Sequence, residues 1–168
     1  MPFPRSSLDL IIIPQQKDYL PTTQAEKKFL QVAQKQRWIN NFSAGPSAQE
    51  FILNGFGSIR IERHKYPILF ANHQGGYRVL CPTCSSHLAK EFSSVVTKYR
   101  KDRSSFSINC ISCTSSFQLD QLRFQPTAGF AKYALVIKDV NSIEISEKGT
   151  KILSYLMENF QVILKRMG

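Results

Sequence analysis

The chain has 168 residues, 42% of them hydrophobic, enough for one proper core plus a small appendage in one or two small domains. No apolar run approaches the roughly 18 residues of a membrane-crossing helix, and no repeat or low-complexity tract stands out, which sets aside the membrane-spanning and fibrous classes. The formal charge of +10 favours polyanions or an acidic protein surface as partner, although the cationic excess is spread almost evenly along the chain rather than concentrated on one element.

Met1 to Ser7 carries a single Arg, and the apolar stretch Leu8 to Ile13 is shorter than the core of a secretory leader and stops at Pro14. The expected location is therefore the cytoplasm, with no membrane attachment. The same stretch is rich in β-branched residues and predicts a buried strand. Thr23 with Glu26 three residues later forms a capping-box pattern, and Ala25, Phe29, Val32 and Ala33 recur at helical spacing as far as Arg37. Trp38 follows as a core residue, and Asn41 to Ser47 reads as a loop.

Residues 51–80 are β-rich. Ile59 and Ile61 alternate with Arg60 and Glu62, and Ile68-Leu69-Phe70 and Tyr77-Arg78-Val79-Leu80 form two more strand-like runs. Gly75-Gly76 between these two runs predicts a hairpin turn. After residue 85, Leu88, Phe92, Val95 and Tyr99 recur at helical spacing and predict an amphipathic helix from about Ser86 to Tyr99 that needs a surface to cover. Phe106 and Ile108, then Phe117, Leu119 and Leu122, suggest paired strands. Pro126-Thr127-Ala128-Gly129 marks a boundary. Beyond it come a strand over Ala131 to Lys138, alternation at Ile143 and Ile145, a helix from about Glu147 to Asn159, and a last strand over Gln161 to Lys165.

Four cysteines carry the clearest chemistry: Cys81-Pro82-Thr83-Cys84 and Cys110-Ile111-Ser112-Cys113, separated by 25 residues. Two thiolates two residues apart turn inward from one tight knuckle, and two knuckles supply the four ligands that Zn²⁺ prefers. Disulfides need an oxidising compartment, and a redox Cys-x-x-Cys needs no second pair. One structural Zn²⁺ per chain is therefore expected on Cys81, Cys84, Cys110 and Cys113, with no open position for catalysis. His87, three residues past Cys84, is an alternative ligand only if a cysteine is displaced.

Between the pairs lies the one local concentration of charge, Lys98-Tyr99-Arg100-Lys101-Asp102-Arg103. Read as an exposed tip, it offers Lys98, Arg100, Lys101 and Arg103 to phosphates and Tyr99 to a base; the competing reading is a solvated turn. Asn72 to Gly76 is the other polar cluster. No phosphate-binding loop, dinucleotide fingerprint, nucleophile elbow or metalloprotease motif is present, which disfavours an enzyme and leaves no small-molecule substrate in view.

The cysteine pattern, fed by strand-like segments, resembles the zinc-ribbon superfamily over about a quarter of the chain, and Asn72 to Cys84 looks like the same segment of small uncharacterised bacterial zinc-ribbon proteins. The resemblance implies metal ligation by the four cysteines and no activity. Ser85 and Thr114 stand where ribbons often place a glycine after the second cysteine, and the insert reads as partly helical.

The fold expected is α+β: a small mixed core from residues 1–72 and 126–168, with a zinc-ribbon module inserted at 73–125. The function expected is a non-enzymatic, zinc-stabilised protein that binds nucleic acid or a nucleic-acid-associated complex through its basic surface. The alternatives are a protein-interaction module, such as an adaptor or an immunity-type inhibitor of an acidic protein, and an enzyme with an unrecognised site around His73 or His87.

Overall fold

A computed structural model of the chain describes residues 7–167. Among them are three α-helices and ten strands, all paired antiparallel, in an α+β fold. The strands are β1 (Ser7–Pro14), β2 (Ile39–Asn40), β3 (Ser43–Ala44), β4 (Ser58–Phe70), β5 (Arg78–Leu80), β6 (Ser107–Asn109), β7 (Ser116–Gln118), β8 (Arg123–Gln125), β9 (Gly129–Lys138) and β10 (Phe160–Met167). The helices are α1 (Thr23–Lys35), α2 (Ala89–Lys101) and α3 (Glu147–Leu153).

Six strands form one sheet in the order β10-β1-β9-β4-β3-β2. The β-branched run predicted as a buried strand becomes β1, which pairs with β10 on one side and β9 on the other. Because β1 runs antiparallel to both, β9 and β10 are parallel, and the β9-α3-β10 connection crosses over the strand between them. Alternation splits β1 between two faces. Leu10 and Ile12 join Phe29 and Ala33 of α1, Ile152 and Leu153 of α3, and the stacked pair Trp38–Phe51, whose ring centroids lie 4.9 Å apart. Ile11 and Ile13 pack on the other face with Ala134, Val136 and Ile163.

Several local expectations are corrected. Thr22, not Thr23, caps α1: its Oγ1 accepts the Ala25 amide at 3.1 Å. Glu26 is drawn away from the cap by Arg63, whose guanidinium donates to it at 2.8 Å, and by the Tyr133 hydroxyl at 3.1 Å. The segment read as a loop at 41–47 contains half of the small β2–β3 hairpin, with Asn41 turning at φ 55°. Residues 72–76 do turn, with Gly76 at φ 79°, but the flanking runs do not pair with each other. Phe70 lies against Gly129 of β9, whereas β5 pairs with β8, so the turn leads out of one sheet into another. Ile143 is 59% exposed and in no strand, and α3 ends at Leu153 rather than near Asn159, with Leu156 and Met157 buried by the turns that follow.

The long pairing of β4 with β9 is interrupted. Arg63 faces Tyr133 and Ile68 faces Ala131, so His64 to Pro67 stand opposite the single residue Lys132 and are pushed out as a wide bulge. Past the bulge, Leu69 and Phe130 lie opposite each other and join a second hydrophobic cluster, built from Val79, Leu88, Phe92, Val96, Tyr99 and Ile108. Phe130 is its hub, within 5.0–6.3 Å of the rings of Phe92, Tyr99 and Phe106. The apolar stripe predicted for this helix is thus covered by the end of the main sheet, with Val96 rather than Val95 buried and the helix running from Ala89 to Lys101 rather than from about Ser86 to Tyr99.

Candidate metal centre and basic surface

Each cysteine pair sits on a knuckle between two three-residue strands or bridges. In the first, the Cys81 amide donates to Ser86 O and the Ser85 amide to Cys81 O, each at 2.9 Å. In the second, the Cys110 amide donates to Ser115 O and the Thr114 amide to Cys110 O, again at 2.9 Å. Ser85 and Thr114 both have φ 62°, the left-handed conformation for which ribbons often use glycine. The two knuckles are the same device built twice. Strand β5, itself paired with β8, leads into the first knuckle, which the Leu80–His87 bridge closes, and β6 and β7 flank the second.

The knuckles face each other. Cys81 Sγ lies 3.7 Å from Cys113 Sγ and Cys84 Sγ 3.6 Å from Cys110 Sγ, and all four ligand atoms fall within 4.8 Å of one another. A disulfide would bring two sulfurs to about 2.05 Å, so no pair is bridged. Four thiolates at about 2.3 Å from a tetrahedral ion lie about 3.8 Å apart, and the observed spacing fits that edge. Cys81 and Cys110 are buried and Cys84 is exposed, so the cluster is seated at the margin of the second hydrophobic cluster.

The thiols are unequal. The Ser86 hydroxyl, 3.0 Å from Cys84 Sγ, and then the Ser86 amide draw Cys84 down to about 6. The Ser115 hydroxyl and amide lower Cys113 in the same way. At Cys110 the Cys113 amide pulls down, but burial and the hydrogen bonds shared with Cys84 and Cys113 outweigh it and push the thiol up to about 11. Packing four sulfurs together resists their full ionisation, and a bound dication removes that resistance. His87 is exposed and stands outside the cluster; its backbone forms a bridge with Leu80.

The basic segment is divided by the fold. Tyr99 is corrected from an exposed stacking residue to a buried one: it is 4% exposed, and its hydroxyl donates to Pro67 O at 2.7 Å. The bulge strips Pro67 of a ladder partner, and Tyr99 supplies the donor. Lys98, Arg100 and Lys101 remain exposed, but at 100° per residue Lys98 lies about 160° around the helix from Arg100. Arg103 stands over the Tyr99 ring at 4.7 Å and over the Tyr66 ring at 5.4 Å. Tyr66, on the bulge and 42% exposed, has Lys65 Nζ 5.5 Å from its ring centre. The exposed aromatic beside the cations is therefore Tyr66, which sequence reading missed because it lies 37 residues before Arg103.

His73 and His87 share no cavity or hydrogen bond, and the only His/Cys/Asp/Glu group with metal-ligand spacing among the described residues is the cysteine cluster. No described helix is long and apolar enough to cross a membrane. The chain matches no known protein family, no curated protein and no solved structure.

Proposed function

We propose that this protein is a cytoplasmic, zinc-stabilised, non-catalytic binder of single-stranded nucleic acid, with residues 73–125 as an inserted zinc-ribbon module. Four free thiols at ligand spacing favour zinc and a reducing compartment. The observation that carries the reading is the composite surface of Tyr66, Lys65 and Arg103. Cations in the last turn of α2 also complement its carbonyl end, so their presence alone says little. An exposed ring with an ammonium and a guanidinium each within 5.5 Å of its centre says more, because it puts an aromatic surface beside two phosphate partners. Stacking needs an unpaired base, which selects single strands over duplex.

The test is fluorescence anisotropy with a labelled single-stranded oligonucleotide across about 50–200 mM salt. Replacing Arg103 and Lys65 by Gln should each reduce the salt slope by about one. Tyr66→Ala should weaken binding by about 1–3 kcal/mol with the slope unchanged. Tyr99→Phe, by contrast, should affect stability rather than affinity. Undetectable or salt-insensitive binding overturns the reading.

A second reading, an adaptor or immunity-type inhibitor docking on an acidic protein, is favoured by Ile111. This side chain is 74% exposed at the tip of the second knuckle, on a rigid platform. An Ile111→Ser variant that loses a co-purifying protein while keeping its metal would support that alternative.

A further inference from the structure

Alongside α2 runs a groove made of two adjoining cavities of about 310 Å³ each. The first is bounded by His73 and Tyr77 on one edge and by Ser93, Thr97 and Arg100 on the other. Ser93, Thr97 and Arg100 recur at i, i+4 and i+7, so they form a single polar ridge along the helix. Leu69, Phe92 and Val96 give the groove an apolar floor. The second cavity continues from Leu69, Val96 and Arg100, which both share, to Arg103. Arg103 in turn touches Tyr66.

We infer that the first cavity holds one nucleotide of a single strand, with the base on the apolar floor and its phosphate on Arg100. The inference rests on the nucleic-acid reading above and adds a site to it. Three features select this occupant. The volume stands near the lower bound of about 300 Å³ for small-molecule sites, which suits one nucleotide unit. The charge is complementary: Arg100 and Arg103 line the groove, and no carboxylate lines either cavity. Polar His73, Ser93, Thr97 and Arg100 line the first cavity together with apolar Leu69, Phe92 and Val96, the mixture that a base with polar edges and an apolar face requires. Burial, reinforced by Lys165 and Arg100, holds His73 below the usual imidazole range, so its neutral ring offers one donor and one acceptor to a base edge. From Arg100 the strand would pass Arg103 and reach the Tyr66 ring.

The experiment uses the full zinc-loaded chain with adenosine 5′-monophosphate, adenosine and a labelled single-stranded oligonucleotide. Ser93 is exposed, so Ser93→Trp fills the groove from outside the core; His73→Ala is a second variant that adds no bulk. The monophosphate should bind about tenfold more tightly than adenosine, and Arg100→Gln should abolish that difference while Lys98→Gln, on the far flank, leaves it. Ser93→Trp should remove monophosphate binding and weaken the oligonucleotide several-fold. An oligonucleotide held through Tyr66 but indifferent to Ser93→Trp and His73→Ala, with no monophosphate bound, overturns the groove and leaves the proposed function standing. Monophosphate binding sensitive to Ser93→Trp, with no oligonucleotide bound, supports the groove and overturns the single-strand reading.

Discussion

The six-stranded sheet and the cysteine-bearing region solve the stability problem differently. The sheet pairs strands of up to 13 residues and buries aliphatic and aromatic side chains on both faces, with α1 and α3 over one of them. The cysteine region has two antiparallel pairs with three residues per strand, the β6–β7 hairpin and the β5–β8 pair that closes the region, too short to stand alone. Two features can stabilise it: a sulfur cluster at one end that a metal ion could cross-link, and the docking of α2 on Phe130 at the other. Removing either should therefore loosen this region while the sheet persists.

The largest separation between the two regions should follow loss of metal. Chelation, or Cys110→Ser, forfeits metal-binding free energy that reaches about 10 kcal/mol in small zinc domains. Amide exchange is expected to rise throughout 78–125 and to stay slow in β1 and β9; uniform loss of protection would show that the two regions fold as one. Metal analysis should give one zinc per chain before treatment.

Phe130→Ala attacks the other end of the same region. It empties the centre of an aromatic cluster and should cost about 3–5 kcal/mol of stability, read by denaturant unfolding. Zinc stoichiometry should survive, because the knuckles close on their own backbone hydrogen bonds. A smaller loss, about 1–3 kcal/mol, is expected for Tyr99→Phe, which leaves Pro67 O buried without its donor. Smallest is Thr114→Gly. It relieves a β-branched residue at φ 62° and should raise stability by about 0.5–1 kcal/mol in thermal unfolding of the zinc-loaded protein. An unchanged or lower midpoint would mean that the Thr114 hydroxyl bond to Cys113 O matters more than the backbone strain.

The four-cysteine cluster was legible because knuckle spacing is a short-range property: two residues between cysteines fix the local turn whatever lies around it. Ser85 and Thr114 were marked only by the resemblance, as positions where ribbons often place glycine, and their left-handed backbone is a finding of the structure. The helical period of Leu88, Phe92 and Tyr99 also announced a buried stripe, which argued against treating Tyr99 as exposed. Charge clustering in Lys98 to Arg103 pulled the other way, and the stripe prevailed because Phe130 and Leu69 provide the apolar surface it needs.

Local pattern was enough for the α+β class, the four-sulfur cluster, the strand at Leu8 to Ile13 and the helix carrying Ala25, Phe29 and Ala33. All of these rest on periodicity or spacing within a dozen residues. Long-range pairing settled that the runs flanking Gly75-Gly76 belong to different sheets, that His64 to Pro67 bulge from the ladder opposite Lys132, and that Tyr66 rather than Tyr99 is the exposed ring beside Arg103. Pairing partners and exposure depend on surfaces supplied by distant segments, and β9, more than 50 residues after the bulge, supplies them here.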